Sequence, residues 1–231
     1  MPYIQTMCPA ELKAAVEAGL PLFIAAGSIE YHGSQLPLGT DVLIIEGILR
    51  EIEKRTPIVV APPFVYSPTG YMVSGPEEGT VDIGIDPFVA HCAEILRAYS
   101  RMGFSSIRLL VHHQGGNIGA LLKTAALKAG AYSLYQELGG GWWTRREAAP
   151  HPCRIEVMPA VFGDTVSQAF GGHAGKGETQ AILALYPELV HMENLTDQEP
   201  WWNETAKDAR AQDARREMDQ LIDRWVEKLR G

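Results

Sequence analysis

Four short apolar runs are spaced along the chain: Leu22-Phe23-Ile24-Ala25-Ala26, Ile58-Val59-Val60-Ala61, Ile107-Arg108-Leu109-Leu110-Val111 and Ile155-Glu156-Val157-Met158. Each has the length of a strand, and a stretch with helical apolar spacing lies between each and the next. Parallel strands need crossover connections, and helices are the usual ones. The alternation therefore predicts an α/β fold with a mostly parallel central sheet covered by helices on both faces. In such sheets ligands bind beyond the carboxyl ends of the strands.

The intervening segments fit this frame. A short helix opens at Pro9-Ala10-Glu11-Leu12 and runs toward Gly19. Val42 to Ile52 has helical spacing, with charges collecting at its end. Pro62-Pro63 is expected to end the second strand, since proline cannot donate to a ladder. Residues 64–85 are rich in Gly and Pro, and a loop of that length in a compact domain is usually functional. Asp86-Pro87 opens a helix that stops at Gly103, with Cys92 in its apolar pattern. A further helix passes through Leu121, Leu122, Ala125 and Leu127 to Gly130. The tail from Glu204 to Arg230 is predicted helical, with Met218, Leu221, Ile222, Trp225 and Leu229 on one face.

Three polar clusters fall at equivalent places, each ahead of a helix. The first is Gly27-Ser28-Ile29-Glu30-Tyr31-His32-Gly33, followed by Leu36-Pro37-Leu38-Gly39-Thr40-Asp41. In extended backbone positions i and i+2 point the same way, so Glu30 and His32 can face one point while Tyr31 faces away. Two carboxylates and an imidazole form a ligand set suited to Zn²⁺ or Mn²⁺. For Asp41 the competing role is that of a helix N-cap. The second cluster is His112-His113-Gln114-Gly115-Gly116-Asn117, and the third is Gly171-Gly172-His173-Ala174-Gly175-Lys176-Gly177-Glu178-Thr179. The topology predicts that all three meet at one edge of the sheet.

Bulk properties narrow the function classes. The 231 residues suit a single domain over 1–231, and the formal net charge of -8 leaves no basic face for nucleic acid and no polybasic patch for a membrane. Met1 to Gln5 has no basic or apolar character of a signal peptide, and no apolar run approaches a membrane span. Cys8, Cys92 and Cys153 are odd in number and far apart, which suits a reducing cytoplasm without a disulfide framework.

Taken together and in order, the three clusters resemble the creatininase (creatinine amidohydrolase) family. The first matches its leading signature, His112 to Asn117 resembles its Asn-Gly-His-Gly-Gly-Asn segment, and His173-Ala174-Gly175 with Glu178-Thr179 resembles its His-Ala-Gly…Glu-Thr segment. The resemblance implies a three-layer α/β/α fold, hexameric assembly, and one or two divalent metals, Zn²⁺ or Mn²⁺, per chain. It implies that Glu30 and His32 are terminal ligands, Asp41 the shared carboxylate, Glu178 a late-chain ligand and His173 a pocket residue acting as proton donor. This chain departs from the pattern at Gln114, where the family has a metal-binding His. Gln114 supplies an amide oxygen, or His112 or His113 replaces the missing ligand, or only one metal binds firmly. The competing role for His112 and His113 is a structural pair at a strand end. Creatininase also carries a carboxylate in this segment, where this chain has Gly116.

Trp142-Trp143 and Trp201-Trp202 suit a subunit interface or the core better than a pocket wall, and Gly139-Gly140-Gly141 fits a flap. The function expected is a metal-dependent hydrolase that opens a small cyclic polar substrate. Two alternatives stand beside a creatininase-like amidohydrolase. One is a C–C bond hydrolase acting on an oxidised inositol ring (3-dehydro-scyllo-inosose hydrolase-like); the other is a catalytically inactive binding protein on the same fold.

Overall fold

The computed structural model describes residues 3–137, 153–161, 170 and 172–230. Trp142, Trp143, Gly139 to Gly141 and Gly171 lie outside them. The main elements are α1 (Pro9–Glu17), β1 (Leu22–Ala26), α2 (Thr40–Glu53), β2 (Val59–Phe64), α3 (Ile85–Arg101), β3 (Ser106–Val111), α4 (Ile118–Glu137), β4 (Arg154–Pro159), α5 (Lys176–Leu185) and α6 (Ala211–Arg230).

The strands form one parallel sheet in the order β2-β1-β3-β4. Every residue of β1 is buried, as an interior strand covered on both faces requires. Its side chains alternate between two cores. Phe23 and Ala25 join Ile44, Ile48, Ile182, Leu221 and Trp225 under α2, α5 and α6. Leu22, Ile24 and Ala26 join Phe88, Cys92, Leu96 and Leu122 under α1, α3 and α4. The result is a three-layer α/β/α arrangement with helices on both faces, as predicted.

Three boundaries differ from the sequence expectation. β2 continues through Pro62-Pro63 to Phe64 instead of stopping before them. It tolerates the prolines because it ends the strand order and carries an irregularity there, where Ile24 pairs with Ala61 but Ala26 with Phe64. α4 runs past Gly130 to Glu137, a lone glycine being affordable inside a long helix. The charged tail is not one helix. A 3₁₀ turn at Glu204–Asp208 gives way to extended backbone at Ala209 before α6 begins. Arg210 holds that break, its guanidinium donating to the Lys207 and Ala209 carbonyls at 2.7 and 2.8 Å.

What places the functional end of the sheet is the close approach of α2 to β1. Gly27 follows β1, and a Cβ there would stand 2.7 Å from the Asp41 Cβ and 2.9 Å from the Val42 nitrogen. No side chain fits between strand end and helix start. Gly27→Ala is therefore expected to destabilise by about 1–3 kcal/mol through overpacking. Gly130→Ala is expected to stabilise by about 0.4–1 kcal/mol, because nothing lies within 4 Å of its Cβ position. Urea unfolding midpoints of the two variants check both signs; a neutral Gly27→Ala would contradict the close fit.

Candidate metal centre

β1 and β3 are neighbours in the sheet, and both end at the same edge. Beyond β1 the chain turns through Ser28, Glu30 and His32, and beyond β3 it passes directly into His112 and His113. The first turns of α2 and α5 bring Asp41 and Glu178 to the same place. A helix N-terminus favours a carboxylate in its first turn, so both positions suit negative charge. Asp41 is not the cap, which is Gly39; its side chain turns inward and is 2% exposed.

The two oxygens of Asp41 face two different imidazoles. Oδ2 lies 3.0 Å from His113 Nδ1 and accepts the Ser28 hydroxyl at 2.5 Å. Oδ1 lies 3.4 Å from His32 Nε2. Glu30 Oε2 is 3.3 Å from His113 Nδ1, and Glu178 Oε2 is 3.6 Å from His32 Nε2. Two donor sets result, Glu30–Asp41–His113 and His32–Asp41–Glu178, with one donor atom from each residue and all of these within 4.8 Å of one another. Both sets are buried, and Asp41 belongs to both.

Each imidazole has one nitrogen committed to the protein. His32 Nδ1 donates to the Glu30 carbonyl at 2.9 Å, which turns Nε2 toward the carboxyl groups. His113 Nε2 donates to the Pro68 carbonyl at 3.3 Å, which turns Nδ1 toward them. Such outer partners fix the tautomer a metal ligand needs. His32 Nε2 and His112 Nε2 are buried without a hydrogen-bond partner, and His112 Nε2 is 3.3 Å from Glu178 Oε1. Buried polar nitrogens left unpaired beside carboxylate oxygens are what a site built for a cation presents. The donors, imidazole nitrogen and carboxylate oxygen, suit Zn²⁺ or Mn²⁺.

The cluster also governs its own protonation. Burial works to lower the pKa of His32, but the Glu178 and Asp41 carboxylates outweigh it and raise it to about 9. For His113, burial is again outweighed, here by contacts with Asp41 and Glu30, and the pKa rises to about 10. Burial would raise Asp41, yet His32 and His113 hold it far below the usual carboxylate range.

Among the residues singled out from sequence, Glu30, His32, Asp41, Glu178, His112 and His113 stand together. His173 flanks them, its ring 4.4 Å from that of His32 and its Nε2 donating to the Tyr31 carbonyl at 2.8 Å. Glu30, His32 and His173 also bring donor atoms within 4.8 Å of one another. Gln114 does not join the cluster. It is exposed at the start of a 3₁₀ turn, and His113, one residue earlier, stands where a ligand was expected of it. Gly116 has φ +56°, and a Cβ there would meet the Pro68 carbonyl oxygen at 2.7 Å, so no carboxylate can stand there without moving that loop.

Other contributors carry little sequence signal. Ser28 could be suspected only from its place between strand and Glu30. Ala174, at φ +51°, donates its N–H to Glu178 Oε2 at 2.6 Å. Its carbonyl accepts Gln35 Nε2 at 2.8 Å, tying the first and third clusters together. Trp202 packs edge-on against His173 and Tyr31, while Trp201 is exposed.

Known proteins resemble this chain in sequence and in fold. The profile of the creatininase family, described as creatinine amidohydrolase, matches residues 5–227. The chain is 25% identical over 206 residues to 3-dehydro-scyllo-inosose hydrolase of Thermotoga maritima, covering 86% of this chain and 60% of that protein. It is 24% identical over 202 residues to creatinine amidohydrolase of Pseudomonas putida, covering 82% of this chain and 74% of that one. With the mycofactocin precursor peptide peptidase of Mycolicibacterium smegmatis it shares 29% over 183 residues, covering 77% and 61%. It thus spans less than two thirds of the length of the first and third of these relatives. Solved folds agree: a manganese creatininase superposes with TM-score 0.76 at 19% identity, covering 99% of this chain and 97% of that one. A creatininase variant of Zn-Zn type gives 0.76 at 18%, covering 99% and 96%.

Metal-stripped protein should show the raised histidines in its stability. Groups whose folded pKa exceeds the ordinary 6.5 contribute fully below that value and lose their contribution as pH rises through about 9 and 10. Asp41, depressed, contributes above its ordinary 3.8 and loses it as pH falls. Chelated protein is expected to melt at higher temperature at pH 6 than at pH 9.5. A flat profile in differential scanning calorimetry would contradict the assignment.

Proposed function

The chain belongs to the creatininase family, and from that premise we propose that it is a metal-dependent hydrolase opening a small cyclic polar substrate. The observation that carries this reading is Asp41, buried, with each carboxylate oxygen facing a different imidazole and so serving two subsites. Glu30, His113 and Asp41 would hold one divalent ion, and His32, Glu178 and Asp41 the other. Zn²⁺ or Mn²⁺ held there would supply an acidified water near neutral pH and Lewis-acid polarisation of a carbonyl.

The chain's own groups do the rest. The Ser28 hydroxyl fixes the rotamer of Asp41. His173 Nε2–H donates a hydrogen bond to the Tyr31 carbonyl, which leaves Nδ1 to exchange a proton with substrate. Its ring is held between His32 and Trp202. That placement suits a proton donor to the leaving group.

A second reading is a C–C hydrolase of an oxidised inositol ring, which would belong to inositol catabolism. It is supported by the match to the inosose hydrolase over 86% of this chain and by Gly116, where the carboxylate of creatininase has no room. The inactive-protein alternative draws only on Gln114, and His113 stands in the cluster in its stead. A panel of creatinine, lactams, cyclic ureides, short peptides and oxidised inositols separates C–N from C–C cleavage; turnover of oxidised inositols alone selects the second reading.

His173→Ala is expected to retain its metal and lose about a hundredfold or more in kcat with little change in KM, as a group acting in the transition state should. Loss of metal from the variant would make His173 a ligand, and normal turnover would make it structural.

Assembly and location follow the same reading. We infer a homo-oligomer, a hexamer by family resemblance, supported by exposed Trp201, Met72, Tyr66 and Tyr71. Light scattering showing a monomer at micromolar concentration would contradict it. A cytoplasmic location is supported by three free cysteines. No helix among the described residues is long and apolar enough to cross a membrane.

A further inference from the structure

The long segment between β2 and α3 does more than wall the cluster. Ser67, Pro68 and Thr69 are buried, although they belong to a loop. They lie against the backbone of the second cluster with no side chain between. A Cβ on Gly115 would stand 2.5 Å from His113 Nε2 and 3.5 Å from the Thr69 Cα; one on Gly116 would strike Pro68. Among the described residues, His113 Nε2 has its hydrogen-bond acceptor in the Pro68 carbonyl.

That carbonyl is held in turn by Asp82. Its Oδ1 accepts the Thr69 N–H at 2.6 Å, the Gly70 N–H at 2.8 Å and the Thr69 hydroxyl at 3.1 Å. These bonds stabilise a turn in which Gly70 has φ +62° and Tyr71 φ +47°, backbone that a non-glycine residue adopts only when constrained. Asp82 lies thirteen residues beyond Thr69, so it clamps the loop across its width. Burial would raise its pKa, but the Gly70 and Thr69 amides outweigh it and hold the carboxyl below its usual range.

We propose that Asp82 is a positioning residue for the metal centre: it fixes the Pro68–Tyr71 turn, whose Pro68 carbonyl holds His113 as the Nε2–H tautomer with Nδ1 directed at the Glu30–Asp41 subsite. The proposal rests on the two-subsite reading above. Asp82 touches neither substrate nor metal. It acts through one backbone carbonyl, the place where histidine ligands are usually oriented. It should therefore affect one subsite and leave the His32–Glu178 subsite alone, because His32 takes its orientation from the Glu30 carbonyl instead.

The test is zinc titration of the full chain, by calorimetry and chelator competition, on wild type, Asp82→Ala, Asp82→Asn, His113→Ala and the Asp82→Ala/His113→Ala double variant. Asp82→Ala should weaken one of two zinc ions by about tenfold to a hundredfold and leave the other unchanged. Asp82→Asn, which keeps an oxygen acceptor, should restore most of the loss. In the His113→Ala background Asp82→Ala should cost nothing further, since both act on the same subsite. Unchanged binding in Asp82→Ala, equal weakening of both ions, or full additivity in the double variant would overturn the proposal. If Asp82→Ala fails to fold, ¹⁵N imidazole spectra of zinc-loaded wild type decide: Nδ1-bound, Nε2–H His113 supports it, and the opposite tautomer overturns it. Wild type that binds no zinc would overturn the two-subsite reading itself.

Discussion

Three carboxyl groups buried against the imidazoles of His32, His112 and His113 are the constraint on which this end of the sheet depends. Taking a charge out of water costs several kcal/mol even after relaxation. Glu30, Asp41 and Glu178 are each under a tenth exposed, so positive charge must stand beside them. In the protein alone, protons on His32 and His113 meet that need, which is why burial fails to lower their pKa values. Glu30, Asp41, Glu178, His32 and His113 could instead hold a divalent ion there, whose binding would release those protons. The same electrostatics thus make the cluster tolerable to fold and receptive to metal.

The scaffold answers this constraint with adjacent strand ends and helix starts. β1 and β3 deliver the imidazoles, and the first turns of α2 and α5 deliver Asp41 and Glu178. Gly27 lets α2 approach β1 so closely that Asp41 lies over the strand end. The link from Gln35 to the Ala174 carbonyl binds the first cluster to the third. Packing on two faces of the sheet, not the loops themselves, holds the sites in register.

Much of this could be read from the chain alone. The apolar runs with helices between them specify the parallel sheet, and the three ordered clusters specify where buried carboxylates and imidazoles gather. Glu30, His32, Asp41 and Glu178 were legible because their residue types and order match a known pattern. What was not legible is which residue after β3 enters the cluster. His112, His113 and Gln114 are consecutive, and a one-residue difference in where the strand gives way to the turn decides among them. That choice is made by Pro68, forty-five residues before His113 in sequence, with Gly116 packed against it and Gly115 against Thr69. Ser28 and Asp82 escaped for the same reason: their roles are set by contacts that no local period records. The prolines of β2 misled because the edge position that excuses them belongs to the sheet and not to the segment.

The central claim is that Asp41 is shared by two metal subsites and that His113, not Gln114, completes one of them. Anomalous diffraction from crystals of manganese- or zinc-loaded protein tests it most directly. Two peaks are expected on either side of the Asp41 carboxylate, one beside Glu30 and His113 Nδ1, the other beside His32 Nε2 and Glu178. A single peak away from Asp41, or a peak coordinated by the Gln114 amide oxygen, would contradict it.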